Sequence, residues 1–381
     1  MRAAHPLSPR VPPTLRRLSA LAAVVTLALT IGSCTTGKSD DDPVISSLNA
    51  QEADAAAPEN YRSVKDNGPL STASGTVVMS TSGKNGLKDT VTGDLTTTVV
   101  SRDPSTTRFQ WAVSIKPAAA DQERIKYTGS AQSAMSENMG RSSTGSAVVS
   151  PDGRYLSLFL LPAEQQSGET VADQHTHIIV LDTKTGKTVR DATVSGVVLG
   201  QAITNSALAV ETAQNYFPAG SGKGTITTFS LTDTSAQPSS FPTDKWLVGA
   251  TRENLILAPD LLPDDCFDTC SMTTVSLINT DGSAAGNISR VAAVHPGGWI
   301  HRVADPKSGE QQLVNPSIKK TIDITGKRTF ERDVPTGPGL LVEQEVPTGK
   351  GSSTKLKPVF WLSSSDDGHP HTENLEQFEI K

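Results

Sequence analysis

Short apolar runs separated by turn-forming residues recur along the second half of the chain and predict β-strands. The apolar run at residues 147–149 leads into a Pro-Asp-Gly turn, and the alternating segment Tyr155–Leu158 leaves it. A further apolar run, His177–Leu181, precedes a turn rich in Asp, Thr and Gly, and a fourth alternating segment follows that turn. This order predicts four antiparallel strands in one small sheet.

The same pattern recurs four more times. Residues that can adopt a left-handed backbone follow one another at intervals of 52, 49, 44 and 41, at Gly153, Asn205, Asn254, Gly298 and Gly339. The predicted third strands end 28, 26, 24, 26 and 23 residues after these turns, near Leu181, Leu231, Ile278, Ile324 and Leu362. A period of about 40–50 residues with four short strands is typical of a β-propeller blade.

The sequence therefore predicts an all-β fold, with a single β-propeller over residues 65–381. Residues 145–381 supply five units, and the strand-like stretch 70–145 would supply two more. We expect about seven four-stranded blades, with six or eight also compatible with the spacing. Stacking blades around an axis buries sheet faces that no single sheet can bury alone. Ring closure is expected to pair Val359–Leu362 near Gly75–Ser80.

The amino terminus has the pattern of an export signal. Four arginines precede an uncharged apolar run, Leu18–Ile31. The run leads into the segment Ile31-Gly32-Ser33-Cys34. These last residues resemble the lipobox of bacterial lipoproteins, which implies that residues 1–33 are removed and that Cys34 is diacylated. The alternative is an ordinary secretory signal with a coincidental cysteine. Residues 34–64 are rich in Asp, Ser and Ala and predict a lipidated amino terminus followed by a flexible linker.

Two segments of the first repeat resemble known propeller repeats. Val149–Leu156, with its Ser-Pro-Asp-Gly turn, is similar to TolB-type, WD40-like repeats. Ile179–Lys187 is similar to YVTN and quinoprotein-like repeats. The resemblance implies a propeller architecture, and that architecture hosts binding proteins, scaffolds and enzymes alike.

The charge balance restricts the partners. The 381 residues include 34 Lys and Arg against 40 Asp and Glu, a net charge of −6. Removing residues 1–33 removes four arginines and no acidic residue, so the mature chain carries −10. This charge excludes a nucleic-acid partner, which requires a basic face, and an acidic body is repelled by anionic lipid. We expect a monomer on the extracytoplasmic face of the membrane, with a protein partner in the cell envelope.

Few side chains suggest chemistry. Cys266 and Cys270 are the cysteines that remain in the body, and outside the membrane they predict a local disulfide rather than a metal or redox pair. His175 and His177 share one face of a predicted strand and are weak candidates for metal ligands. A surface role is the preferred interpretation for them and for His369 and His371. No cofactor is predicted.

Three functions fit these features. The leading hypothesis is a non-catalytic propeller that binds an envelope protein or an extracellular ligand, because no linear nucleophile, phosphate-binding or zinc motif is present. The second is a propeller enzyme, a lactonase-like hydrolase or a quinoprotein-like dehydrogenase, with a site on the central channel. The third is a sensor accessory to a membrane partner. Converging charged groups in the channel would favour the enzyme, whereas small apolar side chains would favour the binding module.

Overall fold

The protein was analysed as a computed structural model, which confirms the predicted all-β class. The structure describes residues 42–56, 70–81, 96–103, 105–118, 147–160, 173, 175–213, 224–262, 271–334, 337–347, 354–364 and 366–378. These residues form antiparallel strands, one short α-helix, α1 (Ala50–Ala56), and 3-10 turns at Pro296–Gly298 and Leu375–Phe378. Within this part of the chain, no helix is long and apolar enough to span a membrane.

The strands follow one another in six antiparallel sheets. Sheet 1 contains β1 (Val44–Leu48), β2 (Leu70–Thr72), β3 (Gly75–Thr81), β4 (Thr97–Arg102) and β5 (Phe109–Lys116). Sheet 2 contains β6 (Ala147–Val149), β7 (Tyr155–Phe159), β8 (His175–Asp182) and β9 (Thr188–Ser195). Sheet 3 contains β10 (Val197–Ile203), β11 (Ala207–Ala213), β12 (Gly224–Ser230) and β13 (Ser239–Thr243).

The remaining three sheets come from residues 246–363. Sheet 4 contains β14 (Trp246–Ala250), β15 (Leu255–Ala258), β16 (Thr273–Ile278) and β17 (Ala284–His295). Sheet 5 begins within β17 and continues with β18 (Trp299–Asp305), β19 (Glu310–Asn315) and β20 (Lys320–Asp323). Sheet 6 contains β21 (Lys327–Val334), β22 (Gly337–Pro347) and β23 (Thr354–Ser363).

Sheets 4 and 5 are joined by one continuous strand. The first half of β17 pairs with β16, whereas Val291–His295 pairs with β18, so the two sheets form a single hydrogen-bonded unit of seven strands. Arg290, at the junction, has a positive φ of 58° and turns the strand from one sheet into the next. The chain reverses direction at this kink, without a loop between the two sheets.

The predicted turn markers are confirmed in four repeats. Gly153, Asn205, Asn254 and Gly298 each lie between the first and second strands of a sheet. The fifth marker, Gly339, lies inside β22. The prediction for the third strand of sheet 5 was wrong: Ile324 follows β20, the fourth strand, because only residues 306–309 connect β18 to β19, whereas 10 to 15 residues connect the second and third strands of sheets 2–4.

Contacts between the sheets follow the chain order and return to the start. The inner strand β2 contacts β6, β6 contacts β10, and β10 contacts β14. The turn Pro296–Gly298 contacts both β14 and β22, and β22 contacts β2. Apolar clusters fill each junction from sheet 1 to sheet 6, and every residue of β10 and β11 is buried. The six sheets therefore bury their faces against one another in a closed circuit.

Hydrogen bonds link the inner turns of successive sheets. Ala73 N donates to Gly153 O at 3.0 Å, and Asp152 N donates to Asn205 Oδ1 at 3.1 Å. Asn205 N donates in turn to Arg252 O at 3.0 Å. Each turn also carries a hydroxyl that binds its own backbone, from Thr72, Ser150, Thr204 and Thr251. These contacts place the turns between first and second strands of sheets 1–4 on one face of the body.

Two expectations about the chain ends need correction. Val359–Leu362 lies in β23 and pairs with β22, not with Gly75–Ser80 in β3, so the circuit closes by packing of β2 against β21 and β22. The linker predicted over 34–64 is also partly wrong. Within it, β1 pairs with β5 and α1 packs against β4 and β5, because the outer edge of β5 offers unpaired backbone groups.

A pair of glycine substitutions tests the contact between inner turns. Gly153 and Gly309 have nearly the same φ, +71° and +72°, so alanine at either position costs about 1–2 kcal/mol of backbone strain. A Cβ at Gly153 would lie 2.5 Å from Ala73 N, whereas a Cβ at Gly309 meets nothing within 4 Å. We expect Gly153→Ala to lower the free energy of unfolding clearly more than Gly309→Ala in urea titrations. Equal losses would show that the inner turns are not tightly packed.

Candidate functional site

The inner strands of sheets 2–5 end around one axial cavity. The space inside it that a water molecule can occupy is about 10 Å³, room for roughly one water and far below the about 300–1,000 Å³ of small-molecule pockets. It is lined by Val148, Val149, Pro151, Ile203, Ala250, His295, Pro296 and Gly297. Seven of these described lining residues are apolar or small, and His295 is the titratable one among them.

His295 is held by contacts with sheet 6. Its side chain is 1% exposed, and Nε2 lies 3.3 Å from the Thr329 hydroxyl. Nδ1 lies 3.5 Å from Oε1 of Glu331, within ion-pair range but without hydrogen-bond geometry. The imidazole therefore bridges sheets 5 and 6 at the wall of the cavity.

His301 stacks beside His295, with 6.4 Å between the ring centroids. Its Nε2 lies 3.1 Å from Oε1 of Gln311. Burial, and next the neighbouring His295, lowers the pKa of His301 to about 4, so this imidazole is neutral at physiological pH. The two histidines form a buried polar contact between strands, and they add no second acid or nucleophile to the cavity lining.

The weak metal candidates lie away from the cavity, on β8. The rings of His175 and His177 pack edge to face, with centroids 5.9 Å apart. His177 Nδ1 lies 3.3 Å from the Thr193 hydroxyl and 3.7 Å from Oδ1 of Asp191. Among the described residues, no three His, Cys, Asp or Glu side chains are grouped so as to hold a metal ion. Metal binding by this pair stays a prediction.

The other predicted site residues divide into two sets. Cys34, Cys266 and Cys270 lie outside the described residues. His371 stacks on Trp361 at 3.9 Å, and its two ring nitrogens each lie 2.7 Å from a carboxylate oxygen, of Asp366 and of Glu373. Through these carboxylate contacts, His371 helps to hold the carboxyl-terminal segment in place.

Sequence reasoning missed a buried carboxyl group between sheets 3 and 4. Glu211 on β11 is fully buried, and its Oε2 accepts a 2.8 Å hydrogen bond from Leu247 N at the start of β14. Oε1 has no hydrogen-bond partner. Burial raises the pKa of Glu211 to about 8. The signal in the sequence was a single acid inside the apolar run 207–213, which a search for linear motifs does not detect.

Comparisons with known proteins give only distant similarities. No protein family and no curated protein matches the sequence. The β-propeller domain of the Trilobed protease from Pyrococcus furiosus is 12% identical, with 75% of this chain and 80% of that chain covered and a TM-score of 0.36. TolB from Acinetobacter baumannii is 11% identical, with 78% and 80% covered and a TM-score of 0.29. A europium-containing methanol dehydrogenase is 11% identical, with 80% and 54% covered and a TM-score of 0.30. Similarities this weak assign no function.

The pH dependence of the free energy of unfolding tests whether the buried Glu211 carboxyl group is protonated in the folded protein. Between about pH 4.5 and 8 the unfolded chain has lost the Glu211 proton that the folded chain keeps. The free energy of unfolding therefore falls as the pH rises through this window, by at most about 1.4 kcal/mol per pH unit for one proton. We expect Glu211→Gln to remove this slope, because the amide oxygen can still accept from Leu247 N.

The measurement is urea unfolding at pH 5 and pH 8. Glu253→Gln, at an exposed glutamate, is the matched control and should leave the wild-type slope unchanged. If Glu211→Gln and wild type lost equal stability between the two pH values, Glu211 would not be protonated in the folded state.

Proposed function

We propose that this protein is an extracytoplasmic, lipid-anchored lipoprotein whose β-propeller acts as a non-catalytic binding or scaffold module. Its ligand is an envelope protein or an extracellular molecule. The observation that carries this proposal is the lining of the axial cavity, which is apolar and small except for His295. Enzymes on propellers need several acids, bases or metal ligands that converge on the axis, and the lining residues that the structure describes include one titratable side chain.

The sheet arrangement supports a propeller with six blades, the lower of the counts compatible with the spacing. Each blade corresponds to one of sheets 1–6, and the contacts of the inner strands return from sheet 6 to sheet 1. Because β2 contacts β6 directly, sheets 1 and 2 are neighbours in the circuit. Sheet 6 has three described strands, and a bridge between Trp361 and His371 partly replaces the fourth.

The anchor in this proposal rests on the sequence. Ile31-Gly32-Ser33-Cys34 follows a positively charged and then apolar leader, and two acyl chains on Cys34 would give durable attachment. The local disulfide between Cys266 and Cys270, the monomeric state and the extracytoplasmic location belong to the same proposal. All three are consistent with a secreted body whose only other cysteine is modified.

Replacing the lipidated cysteine tests the anchor. We expect Cys34→Ala to move most of the protein from the membrane fraction to the soluble fraction, because no acyl chain can then be attached. Ser33→Thr, next to the cysteine, is expected to be a milder change and serves as the control. Membrane retention of Cys34→Ala at the wild-type level would overturn the lipoprotein assignment.

Native mass spectrometry tests the absence of catalytic machinery. The Cys34→Ala protein, exported and purified without chelator, is expected to have the mass of the bare polypeptide, because the cavity lining offers no set of ligands. A stoichiometric metal or an adduct the size of a quinone would contradict the binding module and favour the enzyme. Replacing His295 by Gln would then show whether the cavity holds that adduct.

A further inference from the structure

The segment that follows sheet 6 folds back along the last strand of that sheet. We call this segment, residues 366–378, the strap. Its backbone is bound to β23 at one point, where Trp361 N donates to His371 O and His371 N donates to Trp361 O, both at 2.9 Å. Trp361 Nε1 also donates to Glu373 O at 3.0 Å. Few backbone contacts therefore hold the strap to the sheet, and its side chains decide how firmly it is closed.

The two ends of the strap are attached to different parts of the body. At one end, Asp366 O accepts a hydrogen bond from Nη2 of Arg252, in the first turn of sheet 4. At the other end, Leu375 and Phe378 pack against the apolar cluster that contains Trp361. The histidine of the strap lies between these two attachments, so its contacts determine whether the middle of the strap stays against sheet 6.

The geometry of His371 is that of a charged imidazolium. Its Nε2 lies 2.7 Å from Oδ2 of Asp366, and its Nδ1 lies 2.7 Å from Oε1 of Glu373. A carboxylate can only accept a hydrogen bond, so both contacts are hydrogen bonds only when both ring nitrogens carry a hydrogen. The ring is therefore a cation held between two anions.

The position of the ring on Trp361 also suits a cation. The two rings are stacked, with centroids 3.9 Å apart and planes inclined by 11°. A cation over the face of an indole is attracted by the electrons of the ring. Burial disfavours the charged form, but the hydrogen bonds and negative charges of Asp366 and Glu373 outweigh it, and together they raise the pKa of His371 above its usual value.

Other charged groups around the strap do not reverse this preference. His369 lies edge to face with the imidazole, with 6.0 Å between the centroids, and opposes its charge only when it is itself protonated. Arg252 reaches the strap through a backbone carbonyl. Asp367 and Glu376 are exposed acids on the strap, and their negative charge favours the imidazolium. On the side of β23 the ring faces Trp361, which is uncharged.

We propose that the strap is a pH-sensitive closure over sheet 6, closed while His371 is protonated and loosened when His371 is neutral. A neutral imidazole donates to one carboxylate and presents a lone pair to the other, so one hydrogen bond becomes a repulsive contact. The stabilisation is complete below about pH 6.5 and is lost as the pH rises through the raised pKa of the folded state. Loosening uncovers Trp361, which is 2% exposed under the closed strap. A body in the proposed extracytoplasmic location meets such changes of pH directly.

Hydrogen–deuterium exchange of the strap tests this closure at pH 6 and pH 9. The sample is the exported, full-length Cys34→Ala protein, and exchange is corrected for its intrinsic pH dependence. We expect the protection of the strap to fall about fivefold relative to that of β8, the size expected for partly exposed ion pairs. His371→Gln should remove this fall and leave the strap near its wild-type protection at pH 9. His369→Gln, at the neighbouring exposed histidine, is the matched control and should keep the fall.

A second variant keeps the test decisive if His371→Gln does not fold. Glu373→Gln, at an exposed position, removes one negative charge beside the ring and should shift the midpoint of strap opening to lower pH. Equal loss of protection in wild type and His371→Gln, or an unchanged midpoint in Glu373→Gln, would overturn the closure. Because neither the lipid nor the axial cavity enters this experiment, its failure would leave the proposed binding function untouched.

Discussion

The structure depends on one constraint: a small β-sheet with two apolar faces cannot bury both by itself. Every residue of β10 and β11 is buried, so the third sheet needs a neighbour on each side. The same need applies to sheets 2, 4 and 5, whose apolar clusters are shared with adjacent sheets. A closed circuit of sheets satisfies it without leaving an apolar face in water. This closure brings the inner turns into contact. It also leaves an axial cavity that is too narrow for a large ligand.

Turn chemistry made much of this circuit predictable from the sequence. A turn residue such as Gly153 or Asn254 must come between two strands, because few other residues adopt the required backbone conformation. The spacing failed in sheet 5, where only residues 306–309 connect the second strand to the third. Sheets 2–4 have 10 to 15 residues at that connection, so the third strand of sheet 5 was placed too late.

The amino-terminal strand and the buried polar groups were harder to predict for a different reason. β1 is five residues long and lies between acidic and small residues, and only the edge of β5, far along the chain, makes it a strand. The roles of Glu211 and His295 likewise depend on neighbouring sheets, through Leu247 N and Thr329. Local patterns identify turns and strands, whereas contacts between sheets are set by the closure of the whole circuit.

The strand shared by sheets 4 and 5 also has a consequence for how the protein unfolds. Sheets 4 and 5 are joined by an unbroken ladder of backbone hydrogen bonds, so neither can open without disrupting the other, and they form one cooperative unfolding unit. The other junctions, including that of sheets 6 and 1, where β22 contacts β2, have no shared strand among the described residues. Mechanical load or local opening would therefore separate the ring at one of these junctions, while sheets 4 and 5 stay together.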